Sequence, residues 1–420
     1  MNLHRTPIPV NEAVEKIMEH SRTGETENIG INEADGRVIA EDLVATHPIP
    51  PFHKSPYDGF ALRSKDTTHL SKDNPGRFVV TETVGAGSRA SRFMKEGETV
   101  RIMTGAEIPP GADCVAMFEI CQTEEKGDQS WMTLKRPMDP NQNIILQGSE
   151  TTINEKLVSK GSRVNPGVKA LLATFGYAKV KVYKKPVVGV FATGTELLEV
   201  EDELIPGKIR NSNAYMIVSQ IERAGAEARY LGKLVDDLPT CFQAVAAAIQ
   251  DVDFLITTGG VSVGDFDLMP EIYEKLGAEV LFNKVAMRPG SVTTAASVQG
   301  KLLFGLSGNP SACYVGFELF TFPILQRYLG RTHPYHRTVQ ATLGRDFKKA
   351  NPFTRFVRGF IEYEEGKVVV YPAGLDKSAV VSSLAYTDAL IMLPGGTRGF
   401  KQGDRVEAVL LEDLKGRQKL

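Results

Sequence analysis

The sequence predicts a multidomain protein of mixed α/β and β class. A central open α/β sheet is preceded by a helical and extended N-terminal domain with an inserted small β domain, and followed by a C-terminal β barrel or sandwich. Three observations predict it. From Pro186 to about Leu329, apolar runs of strand length alternate with helical patterns. Residues 49–148 follow the proline run His47-Pro48-Ile49-Pro50-Pro51 with short alternating segments between glycine-rich turns. After residue 333 the chain again alternates over short spans, between Gly and Asp turns.

Composition narrows the classes. A chain of 420 residues is long enough for about three domains and a sizeable core. With 49 basic against 51 acidic side chains, its net charge of −2 excludes a nucleic-acid polycation, so no nucleic-acid partner is expected. No apolar stretch approaches the ~18–20 residues that span a bilayer. Glu12, Glu15, Lys16 and Glu19 stand where a signal peptide needs an apolar region, which predicts a cytoplasmic protein with no membrane segment. Cys114, Cys121, Cys241 and Cys313 lack C-x-x-C spacing and sit among apolar neighbours, as packed, reduced thiols do.

In chain order, Val10, Ala13, Val14, Ile17 and Met18 lie at helical spacing within Pro9 to Glu19, and Ile31 to Ala40 reads as a second helix. The β segment that follows includes Val79 to Val84 and Val100 to Met103. From Ile153 helix and strand return: Val168 to Phe175 reads helical, Lys179 to Tyr183 extended, and Lys184-Lys185-Pro186 as a linker. The predicted domains are therefore 1–48 with 149–183, the insertion 49–148, the α/β domain 184–332, and 333–420. Within the α/β domain, strands are predicted at Val187 to Phe191, Ala228 to Leu231, Phe254 to Thr257, Val280 to Val285 and Leu302 to Leu306. Helices are predicted at Asn213 to Ala224, Pro239 to Gln250, Leu268 to Leu276 and Ser311 to Tyr328. Helical crossovers of this length make neighbouring strands parallel, and strands covered on both faces read as continuous apolar runs.

Ligands of open α/β sheets bind beyond the carboxyl ends of the strands, and all five tips here are polar or glycine-rich. They are Thr193-Gly194-Thr195-Glu196, Val235-Asp236-Asp237, Thr258-Gly259-Gly260 with Val261 to Asp267, Lys284 to Gly290, and Ser307-Gly308-Asn309-Pro310. Gly259, Gly260 and Gly264 let backbone N–H groups approach a ligand, and the Ser-Gly-Asn-Pro turn opens a helix whose dipole favours an anion. Lys284 and Arg288 add positive charge. Glu196, Asp236, Asp265 and Asp267 are hard oxygen donors that repel phosphate unless a divalent cation such as Mg²⁺ stands between. The residues thus point to a phosphate-bearing or other oxyanionic ligand handled with Mg²⁺.

Each tip has a plainer reading. Thr-Gly-Thr-Glu is also a helix start, Asp236-Asp237 a turn and cap, Ser-Gly-Asn-Pro a strand-to-helix junction, and Lys284 to Arg288 a solvated edge. Their coincidence at one sheet edge favours a site. No histidine lies between His69 and His333, which excludes a Ser-His-Asp triad within the α/β segment. No P-loop motif occurs in the chain and no G-x-G-x-x-G follows the first α/β strand, which argues against ordinary nucleotide or dinucleotide binding. Two further motifs, Pro56-Tyr57-Asp58-Gly59-Phe60-Ala61 and Arg101-Ile102-Met103-Thr104-Gly105-Ala106, read physically as tight turns between strands.

These two motifs, with Ala192-Thr193-Gly194-Thr195-Glu196-Leu197, the helix start Asn211-Ser212-Asn213, Thr258 to Asp267 and Leu306-Ser307-Gly308-Asn309-Pro310, occur in the order and spacing of the molybdopterin molybdenumtransferases. The chain resembles this family, the MoeA and gephyrin E-domain type, along essentially its whole length. The resemblance implies a Rossmann-like, molybdopterin-binding central domain and a homodimer. It implies the last step of molybdenum-cofactor synthesis, in which adenylylated molybdopterin and molybdate yield the molybdenum-bearing cofactor and AMP with Mg²⁺. By motif position it implies catalytic roles for Asp58, Thr104, Glu196, Asp236 and Asp267, with Glu196, Asp236, Asp265 and Asp267 as the metal set. Substrate contacts would come from Thr193, Gly194, Gly259, Gly260, Ser262, Gly264, Lys284, Arg288, Ser307, Gly308, Asn309 and Pro310, completed by Arg355 and Ser378 of the C-terminal domain. The adenylyltransferase of the same pathway is an implied partner. Here Ser291-Val292 stand where many members carry Lys-Pro, Arg288 where Lys is common, Ser307 where Pro is common, and Glu150 where Asp is frequent. Two other functions fit parts of the pattern: an adenylyltransferase, whose members are usually single-domain, and a non-enzymatic, gephyrin-like scaffold.

Overall fold

The computed structural model describes residues 6–235, 237–260, 268–350, 352–412 and 416–418. The chain divides into two compact units, one of Met1–Glu41, Lys160–Pro166 and Lys179–Leu420, the other of Asp42–Ser159 and Gly167–Ala178.

In the larger unit, the helix Val10–Glu19 buries Ala13, Val14 and Ile17, the face its apolar spacing predicts. The second predicted helix, Ile31 to Ala40, does not form. Only Ile31–Glu33 makes a short 3₁₀ turn. Gly36 then takes a positive φ of 72°, and Val38 and Ile39 enter β bridges with Arg163 and Val182. The Asp35-Gly36 turn breaks the helical pattern, and distant backbone partners bury Ile39 fully. Nearby, Thr26–Gly30 pairs antiparallel with Lys179–Tyr183.

The central sheet has six strands in the order Glu227–Leu234, Val187–Thr193, Phe254–Thr258, Lys301–Leu306, Thr294–Val298, Glu279–Phe282. The first four run parallel. The expectation that all neighbours are parallel fails at Thr294–Val298, which forms an antiparallel hairpin with Lys301–Leu306 and is antiparallel to Glu279–Phe282. Its small and polar residues carry no apolar run, and the two-residue loop Gln299-Gly300, with φ of 52° and 74°, makes a tight turn that needs no helix. One face of the sheet buries Val188, Val190, Ile256 and Phe304 under Ile217, Ile221, Phe317 and Phe320. The other packs Phe191, Leu255 and Leu303 against Cys241, Val245, Ile249 and Ile272. Covering on both faces is why these strands read as continuous apolar runs. The long helix predicted from Ser311 is three pieces, Pro310–Gly316, a π-helical turn Phe317–Thr321, and Phe322–Tyr328.

The C-terminal strands Thr354–Glu364, Lys367–Pro372, Thr338–Leu343, Arg405–Leu410 and Ala389–Leu393 pair in that order, and the last pairs back onto the first, closing a five-stranded barrel. Leu343, Val357, Ile391 and Ala408 fill its interior. The short strand Met287–Arg288, reached from the α/β sheet, adds to the barrel in parallel, with Met287 opposite Thr354 and Arg288 opposite Arg355.

The smaller unit holds a six-stranded sheet in the order Cys114–Met117, Gly59–Leu62, Glu98–Ile102, Gly76–Val84, Gln129–Leu134, Cys121–Lys126. Phe60, Leu62, Phe78 and Met132 are central to one of its cores. None of the four cysteines is in a disulfide, and burial pushes the Cys114 and Cys121 thiols up to about 12, so neither is a nucleophile at neutral pH. Among the described residues, no helix is long and apolar enough to cross a membrane.

Candidate active site

The tips of three parallel strands come together. Gly259 and Gly260 have φ of 87° and 65°, and a Cβ on either would stand 2.7 Å from an oxygen of Thr193. Only glycine lets this turn lie so close to the neighbouring strand. The Thr193 hydroxyl donates to the Thr258 carbonyl at 3.2 Å. On the other side, Gly259 N–H donates to Leu306 O at 2.9 Å, and a Cβ on Gly308 would lie 3.6 Å from Gly259 Cα. Asn213 Nδ2 donates to Gly308 O at 2.8 Å, binding the next helix to the same junction.

Gly194, at φ 137°, leaves the space that its own Cβ would fill to the Glu196 carboxylate, whose Oε2 would be 2.5 Å from that Cβ. Glu196 is exposed. Its acceptor-only oxygens are of the donor type a hard divalent cation takes, but among the described residues no group of three or more His, Cys, Asp or Glu comes together to hold a metal ion. Asp237 caps the helix Leu238–Asp251, accepting from Thr240 N–H, so the plainer reading of that acidic pair applies to it. Asp236, Ser262, Gly264, Asp265 and Asp267 lie outside the described residues.

Beside these tips a cavity of about 730 Å³ is lined by Arg288, Ser307, Asn309, Arg355 and Ser378, together with Ser291, Lys349, Asp376 and Lys377. The first five were singled out in the sequence, two of them through family resemblance alone. Arg288 and Arg355 are register partners on adjacent strands, and like charges so placed repel unless an anion lies between or beside them. Asn309 N–H donates to Ser307 Oγ at 3.2 Å, shaping the turn at the mouth of the helix Pro310–Gly316. Ser311 N–H donates to Ser378 O at 3.0 Å, so the barrel loop is bonded to the α/β domain at the cavity edge. Lys284 is not among the lining residues; its carbonyl accepts from Ile8 N–H at 3.2 Å.

Lys349, Asp376 and Lys377 escaped sequence reasoning. Lys349 and Asp376 belong to loops separated by two barrel strands, and nothing in either local pattern signals that barrel closure joins them.

In the smaller unit, the two motifs read as turns are turns, and they meet. Asp58 Oδ1 accepts from Thr104 N–H at 2.6 Å and from Thr104 Oγ1 at 2.8 Å. These two bonds, the backbone one foremost, hold the exposed Asp58 carboxyl below the usual carboxylate range. Gly59 permits the arrangement, since a Cβ there would meet Ala116 O at 2.2 Å. Gly105 N–H donates to Ser55 O at 2.8 Å.

Glycine-lined tips of a parallel sheet beside an arginine-lined cavity, closed by a barrel loop, make an α/β protein with a site of the chemistry that suits an oxyanion. Family models match three successive stretches: the MoeA N-terminal region (domain I and II) over residues 8–176, a probable molybdopterin binding domain over 189–327, and the MoeA C-terminal region (domain IV) over 340–411. A molybdopterin molybdenumtransferase of Bacillus subtilis is 55% identical over 98% of this chain and 96% of its own length. One from Staphylococcus aureus is 49% identical over 99% and 98%. The crystal structure of a molybdopterin biosynthesis MoeA protein from Pyrococcus horikosii superposes with a TM-score of 0.86 at 29% identity, covering 97% of this chain and 100% of that one. The chain belongs to the molybdopterin molybdenumtransferase family.

Proposed function

We propose that this chain is a molybdopterin molybdenumtransferase, transferring molybdenum from molybdate into adenylylated molybdopterin with release of AMP. The observation that carries this reading is the cavity in which Arg288 and Arg355 sit in register beside Ser307, Asn309 and Ser378. Two guanidiniums present forked donors to a tetrahedral oxyanion, and the hydroxyl and amide groups supply orientation. The glycine turn Gly259-Gly260 and the Gly308 junction lie beside it, where backbone can approach a phosphate closely. Within the smaller unit, Asp58, whose carboxyl Thr104 holds below the usual carboxylate range, would be a catalytic carboxylate in this reading.

Mg²⁺ belongs to this reading. Glu196 would hold it, with Asp236, Asp265 and Asp267 as the other carboxylates of the set. When bound it would neutralise phosphate charge and polarise the phosphoanhydride. The same reading takes the protein as a cytoplasmic homodimer, and residues 1–48 with 149–183 as one domain into which 49–148 is inserted. The adenylyltransferase that makes its substrate is its natural partner.

The test mixes purified full-length protein with adenylylated molybdopterin, molybdate and Mg²⁺ and follows AMP. The expected result is AMP release that stops when either molybdate or Mg²⁺ is omitted. Release indifferent to molybdate would overturn the assignment, and a monomer mass in sedimentation would overturn the dimer.

A further inference from the structure

We propose that Asp376 is a positioning residue whose carboxylate sets two cations, Arg355 and Lys349, at the wall of the oxyanion cavity. This rests on the oxyanion-binding reading above. The Asp376 side chain is only 8% exposed. Its Oδ2 accepts from Arg355 Nη1 at 2.6 Å and from Lys349 Nζ at 3.2 Å. The Lys349 ammonium also donates to the Asp376 main-chain carbonyl, so among the described residues both of its hydrogen bonds go to this one residue. The Phe347 ring backs the pair, 5.7 Å from Arg355 Cζ and 6.0 Å from Lys349 Nζ.

Asp376 is itself held. Arg358, 1% exposed, has its Nη1 3.9 Å from Asp376 Oδ1. It donates to Ser383 Oγ at 2.9 Å, Leu375 O at 3.0 Å and Lys377 O at 3.4 Å, gripping the main chain on both sides of Asp376. From the α/β domain, Ser311 N–H donates to Ser378 O at 3.0 Å and its hydroxyl to Val380 O at 2.5 Å. The loop is thus fixed from two directions, and its carboxylate stands at a defined point in the cavity wall.

Charge explains why a carboxylate serves an anion site. Arg355, Lys349 and Arg358 surround a single carboxylate, and Arg288 adjoins Arg355 in register. Without the carboxylate these cations repel one another, and the half-exposed Lys349 loses its charged tether and drifts into solvent. With it, the cations keep fixed positions at the cavity wall. Fixed charge binds better than mobile charge because less freedom is lost on binding.

The experiment titrates the full-length chain with molybdate alone, by calorimetry, for the unsubstituted protein, Asp376→Asn, Asp376→Glu, Lys349→Gln and the Asp376→Asn/Lys349→Gln pair, with melting curves as a check on folding. Asp376→Asn is expected to weaken molybdate about tenfold, the worth of one charge-assisted hydrogen bond. Asp376→Glu should restore most of that affinity. Lys349→Gln is expected to weaken binding about threefold, and the pair to be no weaker than Asp376→Asn alone, because Lys349 acts through Asp376. Unchanged or tighter binding in Asp376→Asn, or losses that multiply in the pair, would overturn the proposal. Should Asp376→Asn not fold, unchanged affinity in Lys349→Gln overturns it equally. Absence of molybdate binding by the unsubstituted protein instead overturns the underlying oxyanion reading.

Discussion

Two carboxylates in the larger unit are held by basic side chains, and they do different work. Glu318 lies in the π-helical turn of the core with its side chain fully buried. Its Oε2 is 2.7 Å from His336 Nε2, and its Oε1 accepts from Arg223 and Gln220. His336 stacks on Phe322, with ring centroids 3.8 Å apart. Asp376 has a similar escort of basic side chains at the wall of the cavity that Arg288, Ser307 and Asn309 also line. The same chemistry ties helices to the barrel in one place and arms a binding site in the other. What separates them is how far the partners are withdrawn from water: Glu318 is 0% and His336 4% exposed, whereas Lys349 beside Asp376 is 49% exposed.

The largest expected effect breaks the Glu318 cluster. Glu318→Ala leaves the part-exposed Arg223 guanidinium and the buried ring of His336 without their partner, and should cost about 3 kcal/mol in denaturant unfolding, the lower end for a buried pair. Folded protein of this variant should still bind molybdate normally; lost affinity with intact folding would dissolve the distinction.

Arg288→Ala probes the open cluster from the other side. Arg288 is exposed, so stability should change by less than about 0.5 kcal/mol. Molybdate affinity should fall about tenfold or more, the loss of a charge-assisted contact.

Acid sharpens the comparison with a smaller effect. Burial alone pushes the Glu318 carboxyl up, but the His336 bond and charge, Arg223 and Gln220 outweigh it, and the net shift is downward. A lowered folded value means stability that is complete above the ordinary glutamate range, near about 4.3, and is lost as pH falls through the folded value. Glu318→Gln should flatten that acid limb in pH-dependent melting, and an unaltered limb would refute the linkage.

The smallest effect concerns an exposed carboxylate with neutral partners. Thr104→Ala removes the hydroxyl donor to Asp58 and keeps the backbone one, so the Asp58 pKa should rise only part of the way to its ordinary value near about 3.9. Carboxyl NMR titration would show it, and no rise would mean that the backbone bond alone sets the value.

Much of this was legible before any coordinates. Arg288, Ser307 and Asn309 follow apolar runs, and strand tips of a parallel sheet face one edge wherever the strands lie in it. Arg355 and Ser378 were reachable only through resemblance to a family, since their own stretches read as ordinary strand and loop. The Ile31 to Ala40 helix was misread because Ile39 answers to Val182, a partner 143 residues away in the chain, by 182 minus 39. Thr294–Val298 was invisible as a strand because its neighbours supply the burial that its own side chains do not advertise.

By itself the sequence determined the alternation of strand and helix, the glycine turns and the polar tips, because periodicity and backbone freedom are local properties. Only the tertiary structure decided that Met287–Arg288 joins the barrel, that the barrel closes on itself, and that Asp376 meets Lys349, Arg355 and Arg358. Those contacts depend on strand register and closure, which arise from pairing between segments far apart in the chain and leave no mark on either segment alone.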